Sequence, residues 1–243
     1  MNLSGKTALV TGGGTGIGWG TAKALAAAGC RVAIAGRREE PLKAAISSWK
    51  GEPAMLCHTL DVTNRESVKK LFDWAQKQLG QIDILVNSAG TNIKTRSMRE
   101  MTPEQWDEVI AINATGVYNC MYAVLPQMRA RKDGLIVNIS SISGKRAMHL
   151  GGVAYNASKF AATALGTSVW NEEAQNGIRI TNVYPGEVDT PILEKRPQPV
   201  SAERRAAMLQ PEDVGDMVAA LAALPPRAHV AELVIKPTVQ EYA

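Results

Sequence analysis

Seven short apolar runs alternate with longer amphipathic stretches along this chain. The runs occupy residues 6–11, 31–35, 55–60, 82–86, 135–139, 178–183 and 232–235. Runs of this length, bounded by glycine and polar residues, predict buried strands. The stretches between them predict helices, the longest from about 102 to 131, bent at Pro126, and from about 153 to 175. Because strands and helices alternate, we predict an α/β fold: a doubly wound, parallel, seven-stranded sheet with helices on both faces.

The size and composition fit a folded chain with a sizeable core. Its 243 residues predict one domain, 1–243, since α/β folds of about 250 residues often form a single unit. With 45% hydrophobic and 21% charged residues, the chain is close to the globular average. The net charge of +4 comes from scattered basic residues, which predicts no nucleic-acid partner. Residues 192–210 hold several prolines and charges and are predicted to form a mobile flap.

The cysteines and the N-terminus bear on the cellular compartment. Cys30, Cys57 and Cys120 lie in apolar surroundings without a metal-binding spacing. We therefore predict free thiols in a reducing compartment and no metal site. The N-terminus lacks a basic-then-apolar signal, and no apolar run reaches ~18 residues. We expect a soluble, cytoplasmic protein that does not enter a membrane.

The first predicted strand runs directly into a glycine-rich turn that opens a helix. Five of the seven residues 12–18 are glycines, including Gly12, Gly16 and Gly18. Such a turn lets the backbone approach a pyrophosphate, whose charge then lies at the positive end of the helix. The alternative is a turn that serves packing alone. We favour phosphate binding, because so many glycines destabilise a turn unless something must come close.

The end of the second predicted strand bears on the choice of cofactor. NAD sites usually place an acidic residue there for the ribose hydroxyls, whereas an arginine beside a small residue suits the 2′-phosphate of NADP. Here Gly36 is followed by Arg37, which favours NADP(H) over NAD(H). The alternative is that Arg37 and Arg38 only pair with Glu39, Glu40 or solvent.

Polar and small residues follow three other predicted strands, at the edge where a parallel sheet binds ligands. Asp61, after the third strand, is either a helix cap or a ligand contact. Residues 87–90, after the fourth, permit close approach of a ring or sugar, or form a plain turn. Ser140 and Ser141 follow the fifth strand and bring two hydroxyl groups to the same edge.

Tyr155 and Lys159 are four residues apart, so they share one face of the predicted helix. A tyrosine hydroxyl titrates near ~10 in water, and a held ammonium lowers that pKa because it favours the phenolate. Such a pair could shuttle a proton, although the same spacing is common on solvated helix faces. Asn113, inside the long helix, is expected to face solvent when it is considered alone.

Together, these motifs resemble the short-chain dehydrogenase/reductase family from residue 6 to about 238. The matching motifs are Thr11-Gly12-x-x-x-Gly16-x-Gly18, Asn87-x-Ala89-Gly90 and Tyr155-x-x-x-Lys159. Asn113, Ser141 and Pro185-Gly186 also fall where the family places them. One departure is Ser88, where the family usually has a second asparagine. The resemblance implies a Rossmann-type fold and hydride transfer between NADP(H) and a carbonyl or alcohol.

The resemblance also implies a role for each site residue. Tyr155 exchanges a proton with the substrate oxygen, and Ser141, rather than Ser140, hydrogen-bonds that oxygen. Lys159 lowers the pKa of Tyr155 and holds the nicotinamide ribose, while Asn113 anchors a water. The implied cofactor-binding residues are Gly12, Thr15, Gly16, Ile17, Gly18, Arg37, Asp61, Val62, Asn87, Ala89, Gly90, Tyr155, Lys159, Pro185, Gly186, Val188 and Thr190.

The substrate is less constrained. The stretch 232–238 is similar to that of family members acting on small hydroxy acids and to related aldehyde reductases, so we expect a small hydroxy acid, aldehyde or ketone. A 3-oxoacyl-[acyl-carrier-protein] reductase is the first alternative. A catalytically silent NADPH-binding regulatory protein is less favoured, because such proteins often lose the tyrosine or lysine.

Specificity is expected from residues 91–96, from residues after Ser141, and from the flap. Four cations in these segments either meet an anionic substrate or are merely solvated: Lys145, Arg146, Lys195 and Arg196. The resemblance also implies a homotetramer or homodimer packed through the helices at 102–131 and 153–175.

Overall fold

The computed structural model describes residues 1–241, and its centre is one parallel sheet of seven strands. The strand order is β3-β2-β1-β4-β5-β6-β7, and every pairing is parallel. The strands are β1 Thr7–Thr11, β2 Arg31–Gly36, β3 Leu56–Thr59, β4 Ile84–Asn87, β5 Gly134–Ile139, β6 Ile178–Pro185 and β7 Glu232–Ile235. The predicted doubly wound α/β fold is therefore confirmed.

Helices cover both faces of the sheet and build a separate apolar core on each. The α-helices are α1 Gly16–Ala27, α2 Glu39–Ser48, α3 Arg65–Leu79, α4 Pro103–Ile110, α5 Gly116–Arg131, α6 Val153–Glu173, α7 Ala202–Ala206 and α8 Pro211–Ala222. Residues of α1, α2 and α8 pack on one face, and residues of α3, α5 and α6 on the other. Along β1, Ala8 and Val10 join the first core and Leu9 the second, as the two-residue period of a strand requires. Central strands are thus buried on both faces, which explains their nearly continuous apolar sequences.

The predicted long helix from 102 to 131 is interrupted at a different place from the one expected. Its start is a capping box: the Thr102 hydroxyl accepts from the Gln105 N–H at 3.3 Å, and the Gln105 side chain accepts from the Thr102 N–H at 3.1 Å. The chain then forms one π-helical turn, Ala111–Thr115, before α5 begins. Pro126 lies within α5 and does not divide it. The interruption of the long helix is therefore a π-turn that carries Asn113, whereas α5 continues through Pro126.

The whole stretch Pro103–Arg131 is long and apolar enough, by length and composition, to cross a membrane. A search of the sequence for uninterrupted apolar runs does not detect this stretch. In the fold, 56% of its most apolar window is buried against the rest of the protein. Burial of this kind is what a core helix of an α/β sheet requires.

The predicted flap, 192–210, packs on the loop that follows β6. It contains a short 3-10 helix, Pro191–Lys195, and then α7. The two Glu187 carboxylate oxygens accept from Arg196 and Arg204, each at 2.7 Å. Asp189 pairs with Arg205 at 2.9 Å. These ion pairs hold the segment over the carboxyl ends of the strands.

Candidate active site

A cavity of about 660 Å³ lies at the carboxyl ends of the strands, where the predicted site residues meet. Its walls come from the turn before α1, the loops after β4 and β5, the start of α6, and the loop after β6 with the flap. A second cavity of about 150 Å³ adjoins it and shares Gly12, Thr15 and Gly90 among its lining residues. The pair forms an elongated cleft, as an extended ligand requires.

The glycine turn is shaped so that no side chain fits at its key positions. Gly12 has φ +66° and Gly16 has φ +53°, a region that favours glycine. A Cβ on Gly12 would lie 2.8 Å from the Ala89 backbone, and one on Gly18 would lie 2.3 Å from the Gly12 carbonyl oxygen. The turn leads into α1, and no acidic residue lies in the first turn of that helix. The backbone can therefore receive an anion at the positive end of the helix.

The end of β2 presents two arginines to the smaller cavity. Arg37 and Arg38 are exposed and line both cavities. Within residues 1–241 neither arginine makes an ion pair, and Glu39 pairs instead with Lys43 at 2.8 Å. Pairing of these arginines with Glu39 or Glu40 is therefore not found, whereas their exposure leaves them in contact with solvent. The end of β2 thus places two positive charges next to the glycine turn.

The hydroxyl group of Ser141 and the side chains of Tyr155 and Lys159 meet in the larger cavity. The Ser141 hydroxyl lies close enough to the Tyr155 phenol to lower its pKa, and the Ser141 Oγ accepts from the Ser143 N–H at 3.1 Å. Ser140 instead is buried, and its Oγ donates to the Lys159 carbonyl oxygen at 3.3 Å. Of the two candidate serines, Ser141 is therefore the one that faces Tyr155.

Burial, Ser141 and Arg96 act on the pKa of Tyr155 in this arrangement, and a lowering of that pKa by Lys159 stays a prediction. Burial raises the pKa of Tyr155, while the Ser141 hydrogen bond and the charge of Arg96 oppose that rise. Burial also lowers the pKa of Lys159 to about 8, so its ammonium deprotonates before the phenol does. Its Nζ lies 5.6 Å from the centre of the Tyr155 ring and donates to the Ile139 carbonyl oxygen at 2.9 Å. Arg96 is a second cation near this group, and its charge lowers the pKa of Tyr155.

Asn113 does not face solvent, because the π-turn directs it inward. It is 1% exposed, and its Oδ1 accepts from the Thr91 N–H at 2.8 Å. Its Nδ2 donates to the Thr91 carbonyl oxygen at 2.9 Å and to the Ser158 hydroxyl at 3.0 Å. A Cβ on Gly90 would lie 3.5 Å from Asn113 Oδ1 and 3.7 Å from Lys159 Nζ. Asn113 thus joins the loop after β4 to α6 behind the cavity; its water-anchoring role stays a prediction.

Two predicted cofactor contacts use their side chains elsewhere in the protein, and their contact with a cofactor stays a prediction. Asn87 is 3% exposed and donates to Asn138 Oδ1 at 2.9 Å, inside the sheet. Asp61 caps the next turn: its Oδ1 accepts from the N–H and the hydroxyl of Thr63 at 2.9 and 2.8 Å. Neither residue lines either cavity, since a bond across the sheet and a turn before α3 use their side chains.

Other predicted cofactor residues do line the cleft. They are Gly12, Thr15, Gly16, Ile17, Gly18, Arg37, Val62, Ala89, Gly90, Tyr155, Lys159, Pro185, Gly186, Val188 and Thr190. Ser88 stands where the family usually has a second asparagine, and the backbone there is still hydrogen-bonded. The Ser88 N–H and the Ala89 N–H donate to the Thr11 hydroxyl at 3.2 and 3.3 Å.

Gln240 is a cleft residue that sequence reasoning missed. It lines the larger cavity, and its Oε1 accepts from the Glu187 N–H at 2.9 Å. A Cβ on Gly186 would lie 2.3 Å from that oxygen. A lone glutamine near the C-terminus carries no sequence signal for such a position.

Known proteins that are similar to this chain in sequence or structure include oxidoreductases. The family described as short chain dehydrogenase matches residues 6–200. An uncharacterized oxidoreductase of Staphylococcus saprophyticus is 33% identical over 239 residues, 98% of this chain and 99% of the relative. The closed form of a serine dehydrogenase complexed with NADP+ is 29% identical, with a TM-score of 0.89 over 98% of this chain and 97% of that one. A 3-ketoacyl-(acyl-carrier-protein) reductase from Brucella melitensis complexed with NADH is 26% identical, with a TM-score of 0.89 over 98% and 99%.

The fold and cleft thus define a nucleotide-binding α/β oxidoreductase. The chain belongs to the short-chain dehydrogenase/reductase family.

Proposed function

We propose that this protein is an NADP(H)-dependent oxidoreductase that interconverts a carbonyl group and an alcohol on a small hydroxy acid, aldehyde or ketone. The observation that carries the proposal is that Ser141, Tyr155 and Lys159 line the same cavity as the glycine turn. A hydroxyl pair next to a buried amine can bind an oxygen atom and exchange a proton with it.

The cleft residues divide between the two ends of the cofactor. The glycine turn and the start of α1 would hold the pyrophosphate, and Arg37 and Arg38 the 2′-phosphate. Val188 and Thr190 would contact the nicotinamide, which supplies or accepts the hydride when it is bound. The related serine dehydrogenase was crystallised with NADP+ and the Brucella reductase with NADH. We favour NADP(H) because the two arginines lack acidic partners within residues 1–241.

The protein's own chemical task is to hold and move one proton. In reduction the Tyr155 hydroxyl donates its proton to the carbonyl oxygen, and in oxidation the phenolate removes it from the alcohol. A pKa raised by burial keeps that proton in place until it is transferred. Ser141 donates to the same oxygen and stabilises the charge that develops there. Lys159, with a pKa of about 8, exchanges protons near neutral pH and can restore the one that Tyr155 gives up.

The second candidate is a 3-oxoacyl-[acyl-carrier-protein] reductase, which the TM-score of 0.89 with the Brucella enzyme favours. An NADPH-binding regulatory protein without turnover is disfavoured, because the chain keeps the tyrosine, lysine and serine in one cavity. We also propose a cytoplasmic location, since the thiol pKa values of Cys30 and Cys120 are raised by burial to about 12, as suits structural thiols.

A homodimer or homotetramer is part of the proposal. Tyr118 and Tyr122 on α5 are 42% and 70% exposed, with ring centres 5.9 Å apart, and Phe160 on α6 is 42% exposed. Neighbouring exposed aromatic side chains of this size favour an interface between copies. Light scattering of wild type and a Tyr122→Glu variant would test it; a wild-type monomer would contradict it.

The function is tested by following NADPH and NADH consumption with ketones, aldehydes, small oxo acids and a 3-oxoacyl thioester. We expect consumption of NADPH in preference to NADH, with the small compounds preferred over the thioester. Preference for the thioester would support the second candidate. Tight NADPH binding without consumption of any compound would contradict the proposal.

A further inference from the structure

The substrate end of the cavity carries more positive than negative charge. Besides Tyr155 and Ser141, its lining includes the cations Arg96, Lys195 and Arg196 and the acids Glu187 and Glu194. Arg196 shares the Glu187 carboxylate with Arg204, each at 2.7 Å. Lys145, another cation considered from the sequence, pairs with Glu232 and does not line the cavity. Apart from Lys159 beside Tyr155 and the two arginines at the end of β2, Arg96 and Lys195 are the cations of this lining without a carboxylate partner within residues 1–241.

Arg96 is held in place by carbonyl groups rather than by an acid. Its guanidinium donates to the carbonyl oxygens of Ile93 at 3.1 Å, Lys195 at 3.0 Å, and Leu150. An arginine has five N–H donors, so two remain for a ligand once these three bonds are formed. Its charge is partly buried and uncompensated, which is unfavourable unless an anion approaches it.

Arg96 is also close to the reacting end of the site. Its carbonyl oxygen accepts from the Val153 N–H at 3.1 Å, at the first residue of α6 and two residues before Tyr155. Its side chain packs on Gly152, where a Cβ would lie 2.5 Å from the Cβ of Arg96. The charge of Arg96 acts on the Tyr155 phenol, so the two groups share one electrostatic environment.

Lys195 supplies the second cation from the flap. Its Nζ donates to the Thr91 hydroxyl at 3.3 Å, and within residues 1–241 it makes no ion pair. The bond from the Arg96 guanidinium to the Lys195 carbonyl oxygen fixes the flap beside the guanidinium. Glu194 lines the same cavity, so the local charge of Arg96, Lys195 and Glu194 is that of a single cation. One carboxylate balances the charge of these three residues.

We propose that the substrate is a small oxo acid or hydroxy acid whose carboxylate binds between Arg96 and Lys195. This inference rests on the proposed function, because it places the carbonyl or alcohol oxygen of the same molecule at Ser141 and Tyr155. The carboxylate is unchanged in the reaction: in oxidation the alcohol carbon loses a hydride to NADP+, and the alcohol oxygen loses its proton to Tyr155. Arg96 and Lys195 therefore select the substrate class and orient it.

The test compares 2-, 3- and 4-hydroxybutanoate with the amide of each acid, oxidised with NADP+. We expect wild type to oxidise at least one acid with a kcat/KM at least about 10-fold above that of its amide, since each charge-assisted hydrogen bond contributes that much or more. Arg96→Gln and Lys195→Gln should each lower kcat/KM for the acid about 10- to 100-fold. In Lys195→Gln the kcat/KM for the amide should change less than about 3-fold. Arg99→Gln, an exposed arginine of the same segment outside the cavity, is the control.

Arg96→Gln also removes bonds that hold three loops, so two further variants separate charge recognition from folding. Lys195→Gln loses one bond to a hydroxyl group, and Arg96→Lys keeps the charge and should restore part of the acid preference. Equal losses for acid and amide in Lys195→Gln would show a structural role and overturn the inference.

The outcomes distinguish this inference from the proposed function. Oxidation that depends on Tyr155 but shows no acid preference would leave the function standing and refute the carboxylate site. If no compound is oxidised, the proposed function fails, and calorimetric titration of each hydroxybutanoate into NADP+-loaded protein decides the inference. Acid binding that is lost in Lys195→Gln would support the site, and absence of acid binding would overturn it.

Discussion

Replacing Lys159 by methionine should make the protein more stable at neutral pH while it abolishes turnover. The Lys159 side chain is buried, and burial lowers its pKa from 10.5 to about 8. At about 1.4 kcal/mol per pH unit, this corresponds to about 3 kcal/mol of unfavourable free energy in the charged folded state. Methionine has a similar shape and no charge, so Lys159→Met removes that destabilisation.

The variant also loses the Lys159 hydrogen bond to the Ile139 carbonyl oxygen, which contributes about 1 kcal/mol. The net expectation at pH 7 is a gain of about 2 kcal/mol in the free energy of unfolding, or about 4–8 °C in Tm. Between pH 8 and 10.5 the folded wild type binds fewer protons than its unfolded chain, so its stability rises with pH. The variant lacks that rise and should become the less stable protein, by about 1 kcal/mol, above pH 10.5.

The assay is urea unfolding of nucleotide-free wild type and Lys159→Met at several pH values from 7 to 11. Lys70→Met, at an exposed lysine of α3, is the control and should show no such crossing. Other groups that titrate in this range cancel in the difference between the two proteins. If Lys159→Met is less stable at pH 7, or if the difference does not change with pH, the burial argument is refuted.

Three further substitutions test the cleft. Arg37→Ala should weaken NADPH binding about 10-fold or more and NADH binding less than about 3-fold, because one charge-assisted bond to phosphate is lost; equal losses in fluorescence titrations would reject the 2′-phosphate role. Ser141→Ala should lower kcat about 100-fold or more, while Ser140→Ala retains activity. Loss of activity in Ser140→Ala and not in Ser141→Ala would assign the contact with the substrate oxygen to Ser140. Gly18→Ala should lose about 1–3 kcal/mol of stability and weaken NADPH binding, because its Cβ would lie 2.3 Å from the Gly12 carbonyl oxygen; unchanged unfolding and binding would show that the turn adapts.

The fold could be predicted from the sequence because its strands are buried on both faces and therefore read as apolar runs. The glycine turn could also be predicted, since only glycine fits beside the backbone of Ala89 and Gly12. Both signals are local: the residue type at a position reports the space or burial at that same position.

Other parts of the site depend on contacts between distant segments. Asn113 points inward because it lies in a π-turn, where its side chain bonds the backbone of Thr91. The residue pattern of the helix does not predict this direction. Asn87 was predicted as a cofactor contact, but its partner across the sheet is Asn138. Arg96 was predicted only as part of a specificity segment, and its charge acts on Tyr155 because Gly152 brings the two segments together.

The most direct test of the central claim is to measure turnover and NADPH binding of Tyr155→Phe side by side. Phenylalanine keeps the ring and removes only the hydroxyl that exchanges a proton with the substrate. We expect turnover to fall by about 100- to 10,000-fold, the usual contribution of an acid–base group, with the Kd for NADPH within about 3-fold of wild type. Turnover close to that of wild type in Tyr155→Phe would contradict the account.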